Sequence, residues 1–101
     1  ADLDHYLAER RLAPLTANTL VQRRQVKRHL ELVPEAGRAH DLEEFADGVC
    51  CVAFPVFGRA GETVASIGMS VPAQKWRLGH EHLSRLCAQA ALRASAMPAV
   101  P

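Results

Sequence analysis

Two runs rich in β-branched and aromatic residues, Val49 to Phe57 and Thr63 to Val71, are separated by Gly58-Arg59-Ala60-Gly61. Runs of that make-up favour extended backbone, and a short glycine-bounded interval between them is a turn signal. The pair predicts an antiparallel hairpin, and Pro72 ends its second strand because proline cannot donate to a ladder. No other segment constrains the fold as strongly. A hairpin fixes two strands at once and decides which side chains share a face.

Centring the turn on Arg59-Ala60 sets Cys51 opposite Gly68, Val49 opposite Ser70 and Ala53 opposite Ser66. These six residues then share one face, since side chains alternate along a strand. The other face carries Cys50, Val52, Phe54 and Val56 with Ala65, Ile67 and Met69, and it is wholly apolar. Bulky apolar side chains are what a face covered by helices requires. The first face is small and partly polar, with a thiol, two hydroxyls and a glycine. Small side chains leave volume above the sheet, and the thiol and hydroxyls supply directional contacts, as the floor of a ligand pocket needs. The same residues would also admit close approach of another chain segment. The hairpin alone leaves both readings open.

The flanking segments read as helices and one short strand. Asp4 to Glu9 suits a short helix with Leu3, Tyr6 and Leu7 on one side. Leu20 to Val33 places Val26, Leu30 and Val33 at i, i+4 and i+7, which predicts a second helix. Pro34 is expected to end it near Val33, with Gly37 as a left-handed stop residue. Arg38 to Leu42 is a candidate strand. His82 to Met97 is amphipathic and begins at Gly79 or earlier, with Leu83, Leu86, Cys87, Ala90, Ala94 and Met97 as its apolar stripe. The tail from Met97 to Pro101 is expected to fray. The order helix, helix, strand, hairpin, helix predicts a two-layer α+β domain.

Size allows one domain at most, or part of one, in 101 residues. With 49% apolar and 23% charged residues the chain is expected to be globular rather than disordered. No apolar run approaches ~18 residues, and the acidic start Ala1-Asp2-Leu3-Asp4 is unlike a signal peptide. A net charge of +1 gives no overall attraction to nucleic acid. Three cysteines, two of them adjacent, do not suggest a disulfide framework, and a cytoplasmic chain with reduced thiols is expected.

The segment Asp41-Leu42-Glu43-Glu44-Phe45-Ala46-Asp47-Gly48-Val49-Cys50-Cys51-Val52-Ala53-Phe54-Pro55-Val56 resembles the D-x-E-E-x-x-x-G-V-x-C-I/V-A-x-P-V stretch of IclR-type effector domains. The turn and strand from Gly58 to Pro72 are similar to that family's final hairpin half, with its S-x-S-G-P ending. Upstream, Leu15-Thr16-Ala17-Asn18-Thr19-Leu20 is similar to its L-T-x-x-T-I stretch. The likeness covers almost the whole chain. It implies a bacterial transcription regulator in which an N-terminal winged helix-turn-helix binds DNA and a C-terminal GAF-like α+β domain binds an effector, often a small organic or aromatic acid. Such regulators work as dimers or tetramers. On this likeness the chain starts partway through the effector domain, and the winged helix lies outside it.

Carried over by the same resemblance, the effector-binding positions are Asp41, Val49, Cys51, Gly68 and Ser70. Gly68 falls where relatives often have serine, which removes one hydroxyl. Val71 replaces the usual glycine before Pro72, and Gln22 stands where an aspartate helix cap is common.

The residues taken by themselves offer little enzyme chemistry. No histidine has a sequence position beside Cys51, so the thiol lacks a base. Asp41 could accept a hydrogen bond from an effector hydroxyl, or serve as a strand-end residue bonding local backbone. His80-Glu81-His82 spaces its histidines at i, i+2, on different helix faces, unlike helical zinc ligands. Arg10-Arg11, Arg23-Arg24 and Lys27-Arg28-His29 are basic clusters that suit solvated helix faces or ion pairs between subunits better than the alternative of phosphate binding, given the near-neutral net charge. Trp76 is expected at the edge of the sheet. No metal, cofactor or enzymatic activity is expected. The function expected is effector binding and oligomerisation, with a purely structural dimerisation domain as the alternative and a redox switch at Cys51 as a third possibility.

Overall fold

The structure, a computed structural model, describes residues 2–97. The tail expected to fray lies, beyond Met97, outside the described residues. The elements are α1 (Asp2–Ala8), α2 (Arg23–Ala36), β1 (Ala39–Leu42), β2 (Val49–Phe57), β3 (Thr63–Pro72) and α3 (Ala73–Ala96). This is the expected order and the expected α+β class. The strands form one antiparallel sheet in the order β1-β2-β3.

The hairpin has a different register from the one expected. Cys51 pairs with Ser70, Ala53 with Gly68, and Pro55 with Ser66. Each partner lies two residues further along β3. The cause is the loop, which runs from Gly58 to Glu62 rather than turning tightly on Arg59-Ala60. Gly58 N–H donates to Glu62 O at 2.8 Å, Gly61 takes φ 83°, and an irregularity between Val56 and Phe57 absorbs the odd residue. A slip of two preserves side-chain parity, so the two face assignments survive the error.

The helix ends also shift. α1 starts at Asp2, two residues earlier than expected, and stops at Ala8, one residue short of Glu9. α2 begins three residues later than expected and runs through Pro34 to Ala36. Proline removes one hydrogen bond in the last turn but does not stop the helix there. Gly37 does, with φ 71° and its N–H donating to Val33 O at 2.8 Å. α3 starts at Ala73, immediately after Pro72, and bends at Gly79 (φ −151°, ψ 30°).

The core lies between α3 and one face of the sheet. Cys50, Val52 and Val56 are buried there, with Val52 only 1% exposed, while Phe54, Ile67 and Met69 are half-buried and Ala65 is exposed. The expected apolar stripe of α3 holds in part. Cys87 is buried and Leu83 and Ala94 are half-buried, but Leu86, Ala90 and Met97 are exposed, and Ser84 and Ala91 are buried in their place. Small residues face the strands because they let the helix backbone come close. Cys87 Sγ donates to Ile67 O at 3.4 Å, and Ser95 Oγ accepts from Phe57 N–H at 2.9 Å while donating to Ala91 O at 2.8 Å. Ser84 Oγ is buried with no hydrogen-bond partner among the described residues.

α1 and α2 pack together beside β1. Arg23 donates to Leu7 O at 2.7 Å and Arg10 O at 3.2 Å, and Lys27 pairs with Asp4 at 2.8 Å. That pair holds the Asp4 carboxyl below and the Lys27 amine above their ordinary ranges, through its hydrogen bond and mutual attraction.

Candidate functional site

The small face of the sheet is organised in rows. Asp41 pairs with Cys51, and Cys51 pairs with Ser70, so these three residues stand side by side across all three strands. The next row is Ala39, Ala53 and Gly68. Strand alternation puts both rows on the side of the sheet away from α3. Val49 flanks the first row at the start of β2, opposite Pro72. All five residues implied by the resemblance therefore share one face. Cys51 is half-buried, and Val49, Gly68 and Ser70 are exposed. The face is open, and no described segment plugs it.

Cys51 Sγ and Ser70 Oγ lie 3.2 Å apart in a hydrogen bond that either can donate. Both groups can therefore also turn toward a ligand. Asp41 Oδ1 accepts from Glu44 N–H at 2.7 Å, the local backbone bond anticipated for it, and its other oxygen takes part in no hydrogen bond among the described residues. Gly68 is not required by the backbone. A Cβ there would meet Val52 O at 3.4 Å and Ala53 Cβ at 3.7 Å, ordinary contact distances. Its absence leaves extra room between Cys51 and the hairpin loop.

The carboxylates of the 41–44 motif hold the adjoining loop. Glu44 Oε2 accepts from Leu42 N–H at 3.1 Å, and Glu43 Oε1 accepts from Gly48 N–H at 2.9 Å. Glu43 adopts φ 59°, a left-handed conformation uncommon for its type, and these bonds fix it. Two hydroxyls clamp the same loop from the segment before α2. Thr16 Oγ1 donates to Glu43 O at 2.5 Å, and Thr19 Oγ1 donates to Glu44 O. Sequence reasoning noted this threonine pair only as part of a motif. Its tertiary role had no local signal, because the partners are backbone oxygens more than twenty residues away.

A cavity of ≈ 540 Å³ continues the small face toward the hairpin loop. It is lined by Val33, Pro34, Arg38, Ala39, Ala53 and Pro55 among others. Sequence reasoning missed it, because it depends on where the last turn of α2 settles. A separate cavity of ≈ 440 Å³ lies along α2, lined by Arg24, Arg28 and His29 among others, and contains none of the expected site residues.

The remaining candidates sit elsewhere. Trp76 stands against His40 on β1 (centroids 6.2 Å apart) and His80 (5.4 Å), at the sheet edge as expected. Burial, with Arg38 and His29 nearby, lowers the His40 pKa below its ordinary value. Burial raises the thiol pKa of Cys50 and of Cys87. Among the described residues no group of three or more histidine, cysteine, aspartate or glutamate side chains is placed to hold a metal ion. No described helix is long and apolar enough to cross a membrane.

The family model for the bacterial transcriptional regulator IclR C-terminal domain matches residues 1–98. The chain belongs to the IclR family. Its IclR domain is 41% identical over 66 residues to the HTH-type transcriptional regulator Rv1719 of Mycobacterium tuberculosis, a match covering 65% of this chain and 25% of that protein. The crystal structure of the IclR protein of Thermotoga maritima superimposes with a TM-score of 0.81 at 35% identity, covering 93% of this chain and 38% of that one. A double mutant of the inducer-binding domain of the Acinetobacter transcription factor PobR, solved with 3-hydroxybenzoic acid, shares the fold, with a TM-score of 0.80 at 19% identity over 91% of this chain and 54% of that one. The chain spans about a quarter of the length of the curated relatives it matches. These IclR-type proteins are transcription regulators, not enzymes.

Proposed function

We propose that this IclR domain senses a small organic acid on the open face of its sheet, through Asp41, Val49, Cys51, Gly68 and Ser70. The observation that carries this reading is the row Asp41, Cys51, Ser70 on an uncovered small-residue face, with Cys51 and Ser70 joined by a hydrogen bond. Three polar groups converge beside apolar walls, which is the arrangement that orients small ligands. The inducer-binding domain of PobR has the same fold and was solved with an aromatic acid, which supports the ligand class. A purely structural dimerisation domain has no use for a thiol, a hydroxyl and a carboxylate in one row, and that row favours the sensing role.

In the whole regulator, DNA is bound by a separate winged helix-turn-helix, and the protein acts in the cytoplasm as a homodimer or homotetramer. Ligand binding then shifts the balance between subunit arrangements, which requires unequal affinity for the two. The test is calorimetric titration of the full-length protein with a panel of small organic acids. Ser70→Ala removes one hydrogen bond and weakens binding of a hit several-fold, roughly 0.5–1.5 kcal/mol. Cys51→Leu fills the face and blocks binding. If both variants bind every hit as the unaltered protein does, the site lies elsewhere.

A further inference from the structure

Trp76 joins two elements of the fold through its ring. It stands edge-on to His40 of β1, with centroids 6.2 Å apart and planes at 71°. On α3 it lies 5.4 Å from His80, with the bend at Gly79 between them. His40 pairs with Val52, the most enclosed core side chain, so its imidazole borders the layer beneath α3. Strand alternation puts the next residue, Asp41, on the opposite face, in the polar row. β1 is only four residues long and pairs on one side only, with β2. So short an edge strand has few ladder bonds, and what packs against it decides whether it stays.

The surroundings of His40 disfavour a proton. Burial is the largest influence, Arg38, His29 of α2 and His80 of α3 act with it, and Glu44 alone acts against them. Glu44 is already engaged, its Oε2 accepting from Leu42 N–H at 3.1 Å. Histidine side chains gain their charge between about pH 8 and pH 5. A proton on His40 then sets a cation among cations at the border of the core, and water accommodates that charge better than the stack does.

We infer that the stack of His40, Trp76 and His80 is a pH-sensitive latch that holds β1 against α3 and releases it in mildly acidic conditions. Release carries Asp41 away from Cys51, its partner across the sheet. The latch needs no ligand and stands apart from the sensing role proposed above. It also differs from acid unfolding, because β2 and β3 keep their own ladder and their packing against α3.

The test takes the full-length protein from about pH 8 to about pH 5.5, across the imidazole range. Trp76 is the single tryptophan of this chain, and subtracting the spectrum of Trp76→Phe isolates its emission. That emission should shift to the red as the indole meets water. Amide exchange of residues 39–42, corrected for its intrinsic pH dependence, should quicken by up to about ten-fold per pH unit, the limit for one proton. β2 and β3 should stay protected. His40→Phe keeps an aromatic ring against Trp76 but cannot charge, and should abolish both changes. Arg38→Gln removes a repelling cation and should shrink both. Unfolding midpoints at the alkaline end confirm that the variants fold. A response that survives His40→Phe overturns the latch. So does β1 exchange that ignores pH, or that β2 and β3 share equally. An Arg38→Gln response equal to that of the unaltered protein overturns it as well, whether or not His40→Phe folds.

Discussion

Val52 and Ala53 are neighbours in the chain and belong to opposite environments. Val52 points into the layer beneath α3 and is almost fully enclosed, while Ala53 points to the open face and borders the cavity. The covered face is packed by Cys50, Val52 and Val56 against the small residues Ser84, Cys87 and Ala91 of the helix. The open face carries residues of similar size but has no layer above it among the described residues. Small size thus has two uses in one sheet. Under α3 it allows close packing, and on the other side it leaves space for a ligand.

The largest test of this contrast is a charge scan of that pair. Val52→Asp places an unpaired carboxylate in the core and should cost about 4 kcal/mol or more, enough to unfold a marginal domain. Ala53→Asp should cost only about 1 kcal/mol, the range of strand preference itself. Equal losses in urea midpoints would dissolve the distinction between the faces.

Thiol labelling compares the faces without mutation. At neutral pH a thiol reagent should modify Cys51 first, with Cys50 and Cys87 at least about ten-fold slower, because they react only when the structure opens. Their raised pKa values act in the same direction by lowering the thiolate fraction. Simultaneous labelling of all three would mean that α3 does not protect its face.

Ser84→Ala sharpens the account of the covered side. Its hydroxyl is buried without a partner, so removing it should be neutral or stabilising by about 1 kcal/mol. A clear loss in thermal midpoint would show that the hydroxyl has a partner in solution.

The smallest effect concerns β1, where His40 and Asp41 again point to opposite sides. The His40 pKa is lowered in the folded protein, chiefly by burial, from an ordinary value of 6.5. The unfolded chain therefore binds the proton more readily, and stability falls as pH drops through about 6.5 toward the lower folded value. His40→Gln should flatten that part of the pH–stability curve. An unchanged slope would assign the acid sensitivity to another group.

The faces were legible in the sequence because strand alternation is robust. Even with the wrong partners, Cys51, Gly68 and Ser70 were placed together, since the register error was two residues and side-chain period is also two. The hairpin loop was not legible, because Gly58 and Gly61 permit more than one turn and only the packed strands choose. The helix stripe was right at Cys87 and wrong at Leu86, Ala90 and Met97 for another reason. Leu86 and Met97 are more apolar than Ser84 or Ala91, yet the distance between helix and sheet selects for volume rather than hydrophobicity. Pro34 misled because the rule against proline weakens in a helix's last turn. The cavity went unseen, since it depends on how α2 meets β1.

The threonine clamp has a consequence for the order in which the molecule assembles. Strands β2 and β3 close over a short loop, so they can pair early and locally. Thr16 and Thr19 instead reach backbone oxygens across a long stretch of chain, and α1 and α2 join the sheet only beside β1. That unit should form last and open first, exchanging its amide hydrogens with solvent while the hairpin stays protected. Since the clamp grips the loop carrying Asp41's own backbone partner, Glu44, a ligand held at the row would slow that exchange far from where it sits.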